Sequence, residues 1–386
     1  MRHLAEEASP ALVKQGSQNT EGGAGVLVAG VDSLYVSFYG QLPDALYDAL
    51  DEAKAVAQVA EESVLVPLAF ADAPCFLRPS GTRTHAYWLS NEHCQVFLTR
   101  RDDVPRVTVH VHSSYLHQVG GAEGAMVEVR RFLGLLGMVV TRDLVSRVDL
   151  YADVQGYRFD LEDRENFQAR ARDSQAYWSG KSLSGLNFGA RGGKFYARLY
   201  DKALEIRQNS KHTWLYDLWR EAGWDGAAPV WRIEFECRRD GLREVQAIDG
   251  DTGEVESLDI IQQVMAHLGD LWRYCLGWLS LRDRDPGDVN RSRWPVSPLW
   301  QALMALKGFG GVVCKVVRQR IREAALDRLL PGCAGYVTSI GALLKCRDLG
   351  KVLHWVRFAI EDRHRERGMS FDERVSWKEM RFGVAA

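Results

Sequence analysis

The sequence lacks a cysteine framework. Its seven cysteines are scattered over 386 residues, odd in number and never spaced as Cys-x-x-Cys. A disulfide scaffold needs cysteines in pairs, and a structural zinc site needs them close together. This usage argues against both and favours reduced thiols, so we expect a protein of the cytoplasm.

The sequence also lacks a long apolar run. No stretch approaches the length of a membrane-spanning helix, and the opening residues MRHLAEEASP contain no signal-peptide core. We therefore expect no membrane partner. With 46% hydrophobic and 26% charged residues, the composition is typical of a globular protein large enough for two domains.

Net charge is small, but charge is unevenly distributed. The formal net charge is −2, yet residues 282–386 hold 20 Lys and Arg against 12 Asp and Glu. Residues 180–215 hold seven Lys and Arg against two acidic residues. Local positive charge of this kind suits a polyanionic partner, and a solvated charged surface is the ordinary alternative.

The hydrophobic pattern predicts an α+β domain followed by a helical region. The predicted strands lie at residues 30–40, 95–116 (a pair), 146–154, 194–200 and 230–240. The predicted helices lie at residues 42–62 and 124–138 and at several places after 255, including 314–330. The resulting division is a disordered lead-in over 1–25, a main domain over 26–245, and a helical, basic region over 246–386 with a linker near 282–298.

Three predicted strands place polar residues at every second position. These residues are Asp149, Tyr151 and Asp153; Arg232, Glu234, Glu236 and Arg238; and Lys194, Tyr196, Arg198 and Tyr200. Alternate residues of a strand share a face, so neighbouring strands would gather the acidic residues beside the tyrosines. A fourth strand adds His110 and His112. Carboxylates with an imidazole suit Mg²⁺ or Mn²⁺, whereas each strand alone has the ordinary alternative of a wet sheet face.

The order of these segments resembles a known family. SRVDLYADV, GLNFGARGGKFYARLYDKALEI and a segment ending in VWRIEFECRRDGL follow one another as in the replication initiation factor family. That family comprises Rep proteins of rolling-circle plasmids, related initiators of filamentous phages and relaxases of some conjugative elements. RLYDK and VWRIEFECRR carry most of the resemblance, which implies an antiparallel nuclease sheet similar to HUH-type Rep and relaxase folds.

The resemblance implies a metal-dependent nickase that cuts one DNA strand site-specifically and rejoins it. Tyr200 would be the nucleophile, forming a 5′-phosphotyrosine and leaving a 3′-OH that can prime a polymerase. The implied metal ligands are Asp149 and Glu234, then Asp153 and Glu236, and more loosely His112. The implied phosphate contacts are Lys202, Arg198 and Lys194. The remaining DNA contacts expected are Lys181, Arg191 and Tyr196, with Tyr196 stacking on a base or acting as a second nucleophile.

The implied partners are origin DNA, single-stranded or extruded from a duplex, and a host helicase and polymerase, with a homodimer left open. A host helicase is needed because the chain lacks the phosphate-binding GxxxxGK[ST] loop. Three alternatives remain open. They are a conjugative relaxase with the same chemistry, a hydrolytic metal nuclease that does not need Tyr200, and a non-catalytic DNA-binding regulator of replication.

Overall fold

The computed structural model describes residues 25–209, 212–249, 255–306, 309, 314–318, 322–366, 370–373 and 375. The chain forms two compact units, Met1–Val317 and Arg318–Ala386. The predicted disordered lead-in lies outside the described residues, except for Gly25.

The secondary structure is mixed. The strands are β1 (Gly25–Gln41), β2 (Val64–Phe70), β3 (Ala73–Leu77), β4 (Tyr87–Ser90), β5 (Cys94–Leu98), β6 (Val107–Val111), β7 (Val139–Gln155), β8 (Phe167–Ala169), β9 (Ser174–Ser179), β10 (Ser182–Phe188), β11 (Phe195–Asp201), β12 (Val230–Arg238), β13 (Val245–Asp249), β14 (Val255–Ser257), β15 (Leu279–Leu281) and β16 (Cys314–Arg318). The helices are α1 (Asp44–Ala60), α2 (Ser113–Gln118), α3 (Ala122–Leu135), α4 (Leu161–Asn166), α5 (Lys202–Asn209), α6 (Trp214–Glu221), α7 (Arg239–Leu242), α8 (Ile261–Ala266), α9 (Leu268–Trp278), α10 (Pro298–Met304), α11 (Arg322–Leu343) and α12 (Leu349–Glu366). A 3₁₀ turn spans Arg291–Arg293.

Eleven of the described strands form one sheet, in the order β2-β3-β4-β5-β6-β1-β7-β12-β11-β10-β9. Neighbouring strands in it run antiparallel. The two longest strands, β1 and β7, pair with each other in the middle of the sheet. The predicted α+β fold with an antiparallel sheet is therefore confirmed.

Helices such as α3 and α9 cover one face of this sheet and build the main hydrophobic core with it, while α5 and α6 pack a second, smaller core against β1 and β7 on the opposite face. Phe132 of α3 meets Phe70 edge to face, with ring centroids 5.6 Å apart. Trp272 of α9 meets Phe235 of β12 in the same way at 5.5 Å. All four rings are fully buried, and burying a side chain of this size stabilises the fold by about 2–3 kcal/mol. The polar positions of the strands are left on the opposite face.

The chain divides after Val317, not at residue 245 as the sequence pattern predicted. The physical reason is the packing of α9, whose apolar side chains complete the core against β12. The helical periodicity after residue 255 therefore marks helices that cover the sheet, and not a separate domain.

Two smaller expectations also differ from the structure. The predicted linker near residues 282–298 is part of the first unit: Arg282 bridges Val296, and Trp294 and Ser297 are buried. The predicted helix over residues 314–330 begins only at Arg322, because Cys314–Arg318 forms β16 beside β13. The apolar residues of 314–318 fit a short strand as well as a helix, so periodicity alone did not separate the two.

The described part of the second unit is helical. α11 and α12 pack as a pair, and they approach closely where Gly341 lies beside Val352. Across the residues that the structure describes, no helix is long and apolar enough to cross a membrane.

Candidate functional site

The register of β7, β12 and β11 brings the predicted polar residues together on one face. The cross-strand pairs are Asp149 with Glu236, Tyr151 with Glu234, Asp153 with Arg232, Glu234 with Arg198, and Arg232 with Tyr200. Residues directly opposite one another on antiparallel strands point to the same side. The alternation in the sequence thus becomes one continuous polar surface, which we call the polar face.

Tyr200 lies half-buried on this face beside a carboxylate. Its hydroxyl donates a hydrogen bond to Glu234 Oε2 at 3.0 Å. Burial, together with the charge of Glu234, raises the pKa of Tyr200 well above its ordinary value of 10. Lys202 Nζ lies 5.4 Å from the centre of the Tyr200 ring and forms an ion pair with Glu205 at 2.6 Å.

Arg198 holds the other oxygen of the same carboxylate. Its guanidinium donates to Glu234 Oε1 and lies 3.9 Å from Asp149 Oδ2. Glu234 is therefore held through one oxygen by Arg198, while its other oxygen accepts the hydrogen bond from Tyr200. Nucleophiles are commonly activated by an adjacent base that a third group holds in position, and this arrangement has those three parts.

Three carboxylates, Asp149, Glu234 and Glu236, form what we call the acidic cluster. Arg147 donates to Asp149 Oδ1 at 2.8 Å through Nε, and its Nη2 lies 3.0 Å from Glu236 Oε2. Burial, with the nearby charge of Glu234, raises the pKa of Asp149 to about 7 even though Arg147 opposes this shift. Asp149 is therefore more easily protonated than an exposed carboxylate, chiefly because burial disfavours its charged form.

The acidic cluster has the donor chemistry of a Mg²⁺ or Mn²⁺ site. No group of three His, Cys, Asp or Glu side chains within the described residues is already arranged around a metal position. The carboxylates instead meet at Arg147 and Arg198, whose side chains are 18% and 36% exposed. Hard cations prefer carboxylate oxygens, so these three carboxylates are the residues that could hold Mg²⁺ or Mn²⁺ if the guanidinium groups moved away.

Asp153 is placed differently from the expectation that it ligates a metal. It forms a bidentate ion pair with Arg232 at 2.7 and 2.8 Å, and it accepts the indole N–H of Trp219 at 2.9 Å. Arg232 also donates to Asp32 at 2.6 Å. The Asp153–Arg232 pair, which we call the buried ion pair, is fully covered, and both oxygens of Asp153 are bound within it.

His112 also lies away from the acidic cluster. It precedes α2, where its Nδ1 lies 3.0 Å from the carbonyl oxygen of Glu92. The histidine that the register brings to the polar face is His110, which stacks on Tyr35 with ring centroids 3.7 Å apart. Burial, with the charge of Arg147, lowers the pKa of His110 to about 4, so it is neutral at physiological pH. This geometry argues against a metal ligand at His112.

The four residues expected to contact DNA are spread along β10 and β11. Lys181 is exposed in the turn between β9 and β10, at the same end of the sheet as Tyr200. Arg191 and Lys194 lie at the opposite end of β11, where Lys194 forms an ion pair with Glu244. Tyr196 points to the polar face opposite Glu236 but is only 7% exposed, so it is less accessible than Tyr200.

Two residues of the polar face were not predicted from the sequence. Arg147 has the same parity as Asp149 in β7, so extending the alternation by two positions would have found it. Asp32 accepts hydrogen bonds from Arg232 and Ser113. It lies where β1 shifts register between Val31 and Ser33. A bulge of this kind interrupts the alternation of side chains between the two faces, so alternation alone did not assign Asp32 to the polar face.

Comparison with known proteins gives little. No protein-family model and no curated protein sequence match the chain. Among solved structures, the chain is similar to a rolling circle replication initiator protein from Geobacillus stearothermophilus, with a TM-score of 0.43 and 14% identity. That similarity covers 74% of this chain and 98% of the other. A likeness this distant does not indicate the function of this chain.

Proposed function

We propose that the protein initiates rolling-circle DNA replication by nicking one strand through a covalent bond to Tyr200, and rejoins the strand by the reverse reaction. The observation that carries the proposal is the hydrogen bond from the Tyr200 hydroxyl to Glu234, whose second oxygen is held by Arg198. The ordered motifs RLYDK and VWRIEFECRR, which contain these residues, support the same assignment.

Glu234 is the group that takes the proton from Tyr200. Because the pKa of Tyr200 is raised, little phenolate exists beforehand and the proton must leave as the new bond forms. The tyrosine oxygen attacks phosphorus, and the bond from phosphorus to the 3′ oxygen of the preceding nucleotide breaks. That oxygen receives the proton held by Glu234. The products are a 5′-phosphotyrosine and a free 3′-OH, with no net change in protons.

Two cationic side chains lie beside Tyr200, and their role in the proposal is to stabilise the charge that develops on the phosphate. Arg198 and Lys202 flank Tyr200, on its own strand and at the start of α5. Fixed positive groups at such a position stabilise the transition state more than the ground state. A divalent ion held by the acidic cluster would supply further positive charge against the phosphate oxygens. The proposed partners are single-stranded or extruded origin DNA, with a host helicase and polymerase acting after the nick.

A nicking assay tests this function. Single-stranded oligonucleotides that tile the DNA flanking the gene are incubated with protein, with and without Mn²⁺, and resolved on a denaturing gel. We expect a metal-dependent protein–DNA adduct with the wild type and with Tyr196→Phe, and none with Tyr200→Phe. Tyr196→Phe is the matched control because it removes a hydroxyl from the same face of the same strand.

Other results would replace the proposal with one of its alternatives. Cleavage without an adduct that persists in Tyr200→Phe would indicate a hydrolytic metal nuclease. Site-specific binding without cleavage of any tiled strand would indicate a non-catalytic regulator. An adduct that depends on Tyr196 would move the nucleophile four residues back along β11, to the other tyrosine of the same face.

A further inference from the structure

The polar face becomes more exposed towards β9, the edge strand of the sheet. The side chain of Glu234 on β12 is 1% exposed, that of Arg198 on β11 is 36% exposed, and Tyr177 on β9 is 47% exposed. In the other direction, α6 contacts the face through the hydrogen bond from Trp219 to Asp153. A DNA strand would therefore approach Tyr200 from the β9 side.

Gly185 allows an exposed aromatic ring to lie close to Tyr200. On β10, Gly185 is the cross-strand partner of both Tyr200 and Tyr177, so these two tyrosines share a face with no side chain between them. A Cβ at Gly185 would lie 3.5 Å from the Tyr200 Cβ and 3.8 Å from Tyr177 Cδ2. Any larger residue there would separate the two rings.

We infer that Tyr177 is the stacking surface for an unpaired base of the DNA strand next to the phosphate attacked by Tyr200. Aromatic rings bind single-stranded nucleic acid by stacking on successive bases, and this contact tolerates any sequence because every base has a π face. The Tyr177 hydroxyl donates to Gln175 Oε1 at 2.7 Å, which ties the ring to its own strand. The ring therefore offers a fixed apolar surface at the open side of the site.

Cations at the same edge fit the backbone of such a strand. Lys181 is exposed in the turn that follows β9, and Arg207 is exposed on α5. The hydrogen bond from Gln208 of α5 to Ser179 at 3.2 Å brings this helix to the end of β9. Positive groups that follow the backbone, combined with an aromatic ring for the bases, are the recurring features of single-strand binding sites.

Trp178 provides an internal comparison. It is adjacent in sequence and 53% exposed, but alternation turns it to the face opposite Tyr177. If exposure of an aromatic ring on β9 were sufficient, both residues would contribute to DNA binding. If the polar face is the binding surface, only Tyr177 will contribute.

The inference rests on the proposed function, and a binding experiment separates the two. All variants are made in the Tyr200→Phe protein, so that no covalent step is needed. Fluorescence anisotropy measures the Kd for an oligo(dT) strand and for an abasic strand of the same length, in which each nucleoside is replaced by a tetrahydrofuran analogue. The abasic strand keeps the phosphates but has nothing to stack.

We expect Tyr177→Ala to weaken oligo(dT) binding by about 5- to 100-fold and to leave binding of the abasic strand unchanged. Tyr177→Phe keeps the ring and should bind like the parent, and Trp178→Ala should do the same. Equal weakening of both strands by Tyr177→Ala, unchanged oligo(dT) binding, or no oligo(dT) binding by the parent would overturn the inference. If the base-dependent loss occurs but wild-type protein forms no adduct, the proposed nicking fails while the stacking contact stands.

Discussion

Asp149 and Asp153 lie on the same strand and the same face, and their surroundings differ. Asp153 has both oxygens bound by Arg232 and accepts a third hydrogen bond from Trp219. Asp149 also has both oxygens bound by one arginine, Arg147, which contacts Glu236 as well. Burial, with a smaller contribution from the charge of Glu234, nevertheless raises the pKa of Asp149 to about 7. The Asp153–Arg232 pair is fully covered, whereas Arg147 and Arg198, which hold the acidic cluster, are partly exposed.

This difference separates a structural site from a candidate reactive site within one sheet face. A buried ion pair with all its hydrogen bonds made has no capacity left for a ligand, and it fixes how strands and helices meet. The acidic cluster is bound by partly exposed arginines, and the pKa of its Asp149 is raised. Titratable groups with shifted pKa values concentrate at functional sites. Composition does not distinguish the two sites, because both consist of carboxylates and arginines.

The largest expected effect is on the rate of adduct formation, at Glu234, the carboxylate of the acidic cluster that contacts Tyr200. Glu234→Gln keeps the shape of the side chain but cannot take the proton, so adduct formation should slow by about 10²- to 10⁴-fold. Glu236→Gln is the matched control, since it removes a charge from the same cluster without touching Tyr200. Initial rates of adduct formation, measured over a range of Mn²⁺ concentrations, provide the test.

Excess Mn²⁺ should restore Glu236→Gln towards the wild-type rate and should not restore Glu234→Gln. Equal rescue of both variants would mean that Glu234 serves the metal alone, and another group would then have to accept the tyrosine proton.

A large loss of stability is expected at the buried ion pair. Asp153→Asn leaves Arg232 buried with Asp32 as its remaining carboxylate partner, and breaking such a pair costs about 3–5 kcal/mol of unfolding free energy. Urea unfolding followed by circular dichroism measures it. Asp217→Asn, which removes the partner of Arg220 on the exposed surface of α6, should leave the unfolding midpoint nearly unchanged. A similar midpoint for Asp153→Asn and the wild type would contradict the structural role assigned to this pair.

The smallest expected effect is the contribution of Asp149 to the pH dependence of the unfolding free energy. Its pKa is about 7 in the folded protein and about 3.8 as the ordinary value, so between these values the folded state holds a proton that the unfolded chain releases. The contribution of Asp149 to stability must therefore fall as pH rises from about 4 to 7. We expect the unfolding free energy of Asp149→Asn to lack this fall, which should amount to on the order of 1–4 kcal/mol.

The measurement is the difference in unfolding free energy between wild type and Asp149→Asn across this pH range. A constant difference would show that burial does not raise the pKa of Asp149. Mg²⁺ should bind more tightly as pH rises through about 7, since it competes with the proton on Asp149.

Much of the sheet and its polar face could be predicted from the sequence. The strict alternation in residues 146–154, 194–200 and 230–240 predicted three strands, and these are β7, β11 and β12. Alternation also predicted which side chains share a face, because a strand turns successive residues to opposite sides. The predicted helices over 42–62 and 124–138 correspond to α1 and α3 for a related reason, since their apolar residues recur with the helical period.

Other features could not be predicted because they depend on contacts between distant segments. Helical periodicity after residue 255 predicted α9 but not the surface against which it packs, so the boundary of the first unit was misplaced. Asp32 joins the site only because a bulge in β1 reorients it towards Arg232, 200 residues away in sequence. His110 and His112 have the same parity, yet His112 lies past the end of β6, where its ring meets the Glu92 carbonyl and the Gln95 side chain.

The sequence by itself determined the strands, their polar and apolar sides and the tyrosine with its neighbouring cations, since these follow from the two-residue period of a strand. Only the tertiary structure decided which carboxylate meets which arginine. Cross-strand register places Arg232 against Asp153 and Arg198 against Glu234, whose second oxygen accepts the hydrogen bond of the Tyr200 hydroxyl. Desolvation and charge repulsion act over a few ångströms between strands that are far apart in the chain, so residues of the same type, four positions apart, acquired different chemistry.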